Sequence, residues 1–139
     1  MKKLVLLLLV LFSVVACSKK QEKLELFSAE SFAYSLDKGW EVDASVRVKG
    51  FEQSENNGTY SVKLSYTVNL ETPGGKTIKS IDSGKVDKTA ADKMMDLQIN
   101  SQIQLDSNYK LGTYKLVFNV TDEPTGRKAS IQSSFDLSN

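Results

Sequence analysis

The stretch Tyr60-Ser61-Val62-Lys63-Leu64-Ser65-Tyr66-Thr67-Val68-Asn69-Leu70 alternates apolar and polar residues without a break. A period of two puts every apolar side chain on one side of a pleated strand and every polar one on the other. The segment therefore reads as a half-buried β-strand, and the rest of the chain repeats the pattern. Trp40, Val42, Ala44, Val46 and Val48 alternate with Glu41, Asp43, Ser45, Arg47 and Lys49. Met95, Leu97, Ile99, Ile103 and Leu105 share one phase, and Asp96, Gln98, Asn100, Gln102 and Gln104 the other. Tyr114, Leu116, Phe118 and Val120 form another strand, and Ala129, Ile131, Phe135 and Leu137 the last. Leu24 and Leu26 predict an N-terminal strand, with Phe32 and Tyr34 extending it.

Turn chemistry separates these segments. Residues 50–58, with two glycines and Asn56-Asn57, read as a loop. In Glu71-Thr72-Pro73-Gly74-Gly75-Lys76 the proline sets φ and the glycines permit positive φ, so residues 77–82 return as a hairpin partner. Residues 83–93 are polar and weakly patterned, and Thr89-Ala90-Ala91-Asp92 has the spacing of a capping box, which predicts one helical turn. Asp122-Glu123-Pro124-Thr125-Gly126 is a further turn. About seven short strands with turns between them argue for an all-β antiparallel sandwich, with an OB-type barrel as the competing architecture.

The N-terminus is of another character. Lys2 and Lys3 precede an uncharged run over residues 4–15, which ends in Val14-Val15-Ala16-Cys17 with the chain's only cysteine. A basic start followed by an apolar run this short is the pattern of a secretory signal, and it falls short of the ~20 residues that span a bilayer. The tetrapeptide resembles the lipobox of bacterial lipoproteins. That resemblance implies a signal peptide over residues 1–16, cleavage between Ala16 and Cys17, and a diacylglyceryl group on Cys17. It also implies residence in the bacterial cell envelope, anchored to the membrane by lipid. Ser18, where an Asp would retain the protein at an inner membrane, implies the outer membrane if the host has two. Residues 17–23 then form a polar linker carrying Lys19, Lys20 and Lys23, and residues 24–139 form one domain.

Leu111-Gly112-Thr113-Tyr114-Lys115-Leu116 resembles the corner between strands E and F of immunoglobulin-like and fibronectin type III sandwiches. The resemblance implies that the Tyr114 hydroxyl turns back onto upstream backbone. Leu116 stands where antibody domains carry their second cysteine, and Trp40 opens an early strand with no disulfide to pack on.

Composition narrows the chemistry. Of 139 residues, 18 are basic and 17 acidic, and loss of residues 1–16 removes two of the basic ones. That balance lacks the basic excess of a nucleic-acid binder. There is no histidine, and the only thiol is the expected lipid site, so histidine bases, cysteine nucleophiles and thiolate metal sites are excluded. The carboxylate pairs Asp122 with Glu123 and Glu41 with Asp43 occupy a turn and an outward strand face, read as solvated positions. Gly74-Gly75-Lys76 lacks the rest of a phosphate loop, and Met94-Met95 lacks the partners of a copper site. Asn57-Gly58-Thr59 and Asn119-Val120-Thr121 match a glycosylation triplet normally unused in bacteria.

Phe51 and Tyr109 fall in loops outside the alternation and are the candidate interaction residues; the competing reading has them cover the ends of the sandwich. The expectation is a non-catalytic, lipid-anchored module presenting a binding or structural surface to the envelope, an envelope protein among its possible partners, with no cofactor and no metal. A carrier for a small apolar or sugar ligand held between the sheets, or a hydrolase using paired carboxylates, are the alternatives.

Overall fold

The computed structural model describes residues 22–139, and these form an all-β antiparallel sandwich. The strands are β1 (Glu25–Ser35), β2 (Trp40–Lys49), β3 (Ser54–Asn56), β4 (Thr59–Glu71), β5 (Thr77–Ala90), β6 (Asp96–Leu105), β7 (Gly112–Asp122) and β8 (Arg127–Leu137). The first sheet has the order β1-β2-β6. The second runs β3-β4-β7-β8, with β5 on the other side of β4. The chain crosses between sheets after β2, β5 and β6, as a sandwich requires.

Register explains why alternating strands make one core. Val42 faces Ile103 and Val46 faces Ile99 across β2 and β6, while Val68 faces Phe118 and Leu70 faces Leu116 across β4 and β7. Each pair therefore points to the same side, and the two inner faces meet. Val42, Val46, Val68, Leu70, Leu116, Phe118 and Val120 are wholly buried. Each such side chain contributes about 1.5–3 kcal/mol relative to exposure. Along one side the sheets are joined by hydroxyls: Ser31 Oγ donates to the Ser134 carbonyl at 3.1 Å and accepts from Ser133 Oγ at 2.9 Å. On the other side Ser101 Oγ donates to Asp82.

The tyrosine corner is formed. Tyr114 is buried on β7 and its hydroxyl donates to the Lys110 carbonyl at 2.7 Å. Its ring stacks on Phe135 with centroids 5.6 Å apart and takes the edge of Tyr109 at 6.2 Å. Burial raises the Tyr114 phenol above its ordinary value, with Tyr109 adding to the effect. Tyr66 is raised too, by burial first and then by the Asp82 carboxylate. Tyr66 lies against Gly84 on β5, where a Cβ would come within 2.6 Å of the Tyr66 hydroxyl, so a side chain there would displace the ring.

Four expectations are corrected. There are eight strands rather than about seven, because residues 50–58 contain β3, joined to β4 by a tight turn with Asn57 and Gly58 at positive φ. Residues 83–90 continue β5, so the helical turn predicted at 89–92 does not form. This strand pairs along one side only and has mostly exposed residues, so nothing demands a regular apolar alternation from it. Lys79, Lys85 and Lys88 and a bulge around Ser80 instead mark it as an edge that resists pairing with other chains. Met95 is 88% exposed; β6 begins one residue later, and Met94 is the one that packs on the core. Phe32 and Tyr34 extend β1 but leave the core face, for the reason given below.

Phe118→Ala is expected to lower unfolding stability by about 3–5 kcal/mol, whereas Met95→Ser should stay within about 0.5 kcal/mol, both read from urea denaturation. The folded state holds the Tyr114 proton more tightly than the unfolded chain does. Its contribution is therefore intact below about pH 10 and falls as pH rises beyond that. Tyr114→Phe should cost about 1 kcal/mol at neutral pH and flatten the alkaline decline in the same experiment.

Candidate functional site

A bulge in β1 decides which side chains reach the surface. Phe27 pairs with Arg47 and Glu30 with Ser45, so Ser28 and Ala29 together oppose Val46 alone, and Ser28 takes a φ of 51°. One extra residue reverses the in-out phase of everything after it. Leu26 faces the core before the bulge; Ser31 and Ala33 face inward after it. Phe32 and Tyr34 are thereby turned outward and stand 56% and 53% exposed.

They join an outer face of regular rows. Glu30 lies beside Ser45 and Asn100, Phe32 beside Asp43 and Gln102, and Tyr34 beside Glu41 and Gln104. Gln102 Nε2 donates to Asp43 Oδ1 at 3.2 Å, and Gln98 Nε2 donates to Asn100 Oδ1 at 2.8 Å. Arg47 is occupied, donating to Gln98 Oε1 at 3.3 Å and pairing with Asp96. Lys49 pairs with Glu25 at 3.6 Å and lies over the Phe27 ring. A shallow groove of about 500 Å³ runs across this face, lined by Glu30, Phe32, Asp43, Ser45, Asn100 and Gln102 among others. The outer face of the second sheet differs, with Ser65, Thr67, Asn69, Asn119 and Ser130 in the equivalent outward positions.

The opposite end of the sandwich is held by a charge. Asp122 is fully buried, and its Oδ2 accepts from the Glu52 backbone N–H at 3.0 Å, Thr125 Oγ1 at 2.8 Å and Arg127 Nη2 at 2.9 Å. Arg127 also donates from Nη2 to the Gly50 carbonyl at 2.9 Å and from Nη1 to the Glu22 carbonyl. Two side chains of one turn thus tie together the start of the domain, the β2 to β3 connection and the β7 to β8 connection. Gly50 has a φ of +76°, and a Cβ there would fall 2.0 Å from the Lys23 carbonyl, so the incoming chain crosses on bare backbone. The reading of Asp122 as a solvated turn residue is overturned. It occupies the last inward position of β7, and a buried carboxylate persists only with such partners.

Ala16 and Cys17 lie outside the described residues. Phe51 is buried at 6% exposure and packs into this end of the core. Tyr109 is half-buried on Tyr114 and closes the other end. Both cover the ends of the sandwich. Asp122 and Glu123 diverge, the first into the core and the second to Ser65 on the surface. Glu41 and Asp43 share the outer face of β2, as their spacing requires. Gly74 and Gly75 lie in a hairpin turn closed by Gly75 N–H to the Thr72 carbonyl at 3.0 Å. Among the described residues, no group of three or more acidic, histidine or cysteine residues could hold a metal.

Phe32 and Tyr34 were missed as surface residues because their even spacing from Leu26 put them in the core phase. Glu30 carried the signal. It has the same phase, and a carboxylate does not sit unpaired in a core, so the phase had to break before it.

No protein-family description matches this sequence, and no curated protein matches it. Among solved structures it is similar to a family 123 glycoside hydrolase from Clostridium perfringens, studied for glycolipid glycan hydrolysis, with a TM-score of 0.51 and 15% identity. The match covers 84% of this chain and 27% of the hydrolase, so the chain spans about a quarter of that enzyme's length. A structural-genomics target, SoR45, aligns over 86% of this chain and 87% of its own with a TM-score of 0.37 and 15% identity. The hydrolase match is a likeness of fold alone.

Arg127→Leu is expected to cost about 3–5 kcal/mol, because it strands the buried Asp122 carboxylate, and Asp122→Ala should cost less, because Arg127 is partly exposed and keeps the Gly50 and Glu22 carbonyls. The double variant Asp122→Leu with Arg127→Leu should recover part of the Arg127→Leu loss, and a double-mutant cycle in urea measures the coupling.

Proposed function

We propose that this chain is a non-catalytic, lipid-tethered module of the bacterial envelope that presents the outer face of its first sheet to a partner. The observation that supports this reading is the layout of β1. The strand starts beside the clamped Glu22 and carries Phe32 and Tyr34 toward its far end. At 3.2–3.4 Å per residue, Tyr34 lies about 25–30 Å from Glu25. From Cys17 to Glu22 the chain reaches at most about 18 Å. A lipid on Cys17 would therefore hold the clamped end close to the bilayer and direct the exposed aromatic pair away from it.

The chemistry of the two ends agrees with this division. Lys19, Lys20 and Lys23 stand on or just before the clamped end, where each basic residue near anionic head groups contributes about 1 kcal/mol. The far end carries an ordered polar face with aromatic anchors, the composition of a contact surface. A carrier with its ligand between the sheets draws no support from inner faces that interlock through wholly buried Val, Leu and Phe side chains.

Cells grown with labelled palmitate are expected to label the wild-type protein and not Cys17→Ser; equal labelling would overturn the tether. A photo-crosslinking residue in place of Tyr34 should give discrete adducts in the native envelope, while the same residue in place of Lys63, on the other sheet, should not. Identical adduct patterns from the two positions would sink the contact-surface reading.

A further inference from the structure

We propose that the outer face of the first sheet binds an uncharged glycan, with Phe32 and Tyr34 stacking on sugar rings and Asp43, Glu41, Gln102 and Gln104 taking their hydroxyls. This rests on the reading of that face as the contact surface and names its ligand class.

The case begins with the aromatic pair. Phe32 and Tyr34 are two residues apart on one strand and point to the same side, so their rings rise about 7 Å from each other along the strand. Both are more than half exposed. A ring face carries the negative part of the aromatic quadrupole. The flat C–H face of a pyranose supplies the matching positive hydrogens.

Each ring is followed across the sheet by the groups that a sugar's rim requires. The Phe32 row continues with Asp43 and Gln102, and the Tyr34 row with Glu41 and Gln104. A carboxylate accepts from two hydroxyls at once, and an amide both donates and accepts, which suits a group that is itself donor and acceptor. Gln102 is already held by Asp43, so part of the ordering cost of binding is met before the ligand arrives. Three strands about 4.8 Å apart and three rows about 7 Å apart give a field of roughly 10 by 14 Å. That is the scale of two or three linked sugar rings.

Charge selects among polyhydroxylated ligands. Glu30, Glu41 and Asp43 make no ion pair among the described residues, and the cations at the near end of this face, Arg47 and Lys49, are engaged by Asp96 and Glu25. An anionic ligand lying over these rows would meet the three carboxylates of Glu30, Glu41 and Asp43. Phosphorylated or uronate-rich chains are therefore disfavoured, and neutral or N-acetylated ones favoured. The core of a protein–protein interface is depleted in charged residues. Here Phe32 and Tyr34 stand among Glu30, Glu41 and Asp43, and the third ring of this face, Phe27, is covered by Lys49.

The test is saturation-transfer NMR on the full chain in detergent micelles, with neutral tetrasaccharides of β-1,4-linked glucose and of β-1,4-linked N-acetylglucosamine as probes. Transfer to at least one probe is expected. Phe32→Ala and Tyr34→Ala should each weaken it at least tenfold, while Val117→Ser on the other sheet should leave it within twofold. A tetrasaccharide of uronate units should bind at least tenfold more weakly, and Asp43→Asn should narrow that gap. Transfer to neither neutral probe, or transfer unaffected by the two alanine variants, would overturn the proposal. If glycan binding fails while Tyr34 still crosslinks to an envelope protein, the ligand class is wrong and the contact surface stands. If both fail, the contact surface falls as well.

Discussion

Strands β2, β4 and β7 keep their in-out phase because a single slip would move a whole apolar set into water. Val42 and Val46 on β2, Val68 and Leu70 on β4, and Leu116, Phe118 and Val120 on β7 are locked in this way into one layer between the sheets. Where phase is lost, it is lost through a bulge. Around Ser80 the bulge adds two residues, so phase is kept across it, and the Ser80 N–H is satisfied by Asn69 Oδ1 at 2.9 Å. Around Ser28 it has a larger consequence, because the side chains after it are aromatic. One inserted residue removes Phe32 and Tyr34 from the core and stands them on the surface. The core accepts the change because small residues, Ser31 and Ala33, take the inward places, and Ser31 is satisfied by β8.

The two ends of the sandwich are closed by different physics. At one end Tyr114, Tyr109 and Phe135 stack and interlock, with the Tyr114 hydroxyl bound to backbone. At the other, Phe51 packs into the core beside an ion pair of the buried Asp122 with the partly exposed Arg127, whose donors also hold Glu22 and Gly50. A pair of this kind is a weak source of net stability, since desolvation offsets most of the attraction. What it supplies is geometry: the incoming chain is held to one path beside the β2 to β3 connection. The direction in which β1 then runs, and the end at which its exposed rings emerge, follow from that path.

Period-two alternation was enough to read β2, β4, β6, β7 and β8, because their inner faces are buried and burial is recorded directly as apolar spacing. The Tyr114 corner was legible for a similar reason, since it is local and its acceptor lies four residues upstream. The continuation of β5 over 83–90 and the strand β3 were not, because an edge strand buries too little to leave a pattern and a three-residue strand is too short to have one. Asp122, in a Pro-Gly turn, reads as a solvated position, and the loop residue Phe51 as either a contact residue or a cover for the end of the sandwich. Sequence position cannot choose between those two roles for a loop phenylalanine, or say that a guanidinium five residues on will satisfy a buried carboxylate.

The amino-acid sequence by itself determined the strand periodicity, the all-β antiparallel class, the lack of histidine chemistry and the abrupt change of character at Cys17. Each of these depends on residue type and spacing along the chain. Only the tertiary structure decided which side Phe32 and Tyr34 face, that three strands gather aromatic, carboxylate and amide groups into rows, and that Asp122 is a buried anchor. These depend on a bulge and on contacts between residues far apart in sequence. The energies that set such contacts belong to pairs of strands, and no single segment carries them.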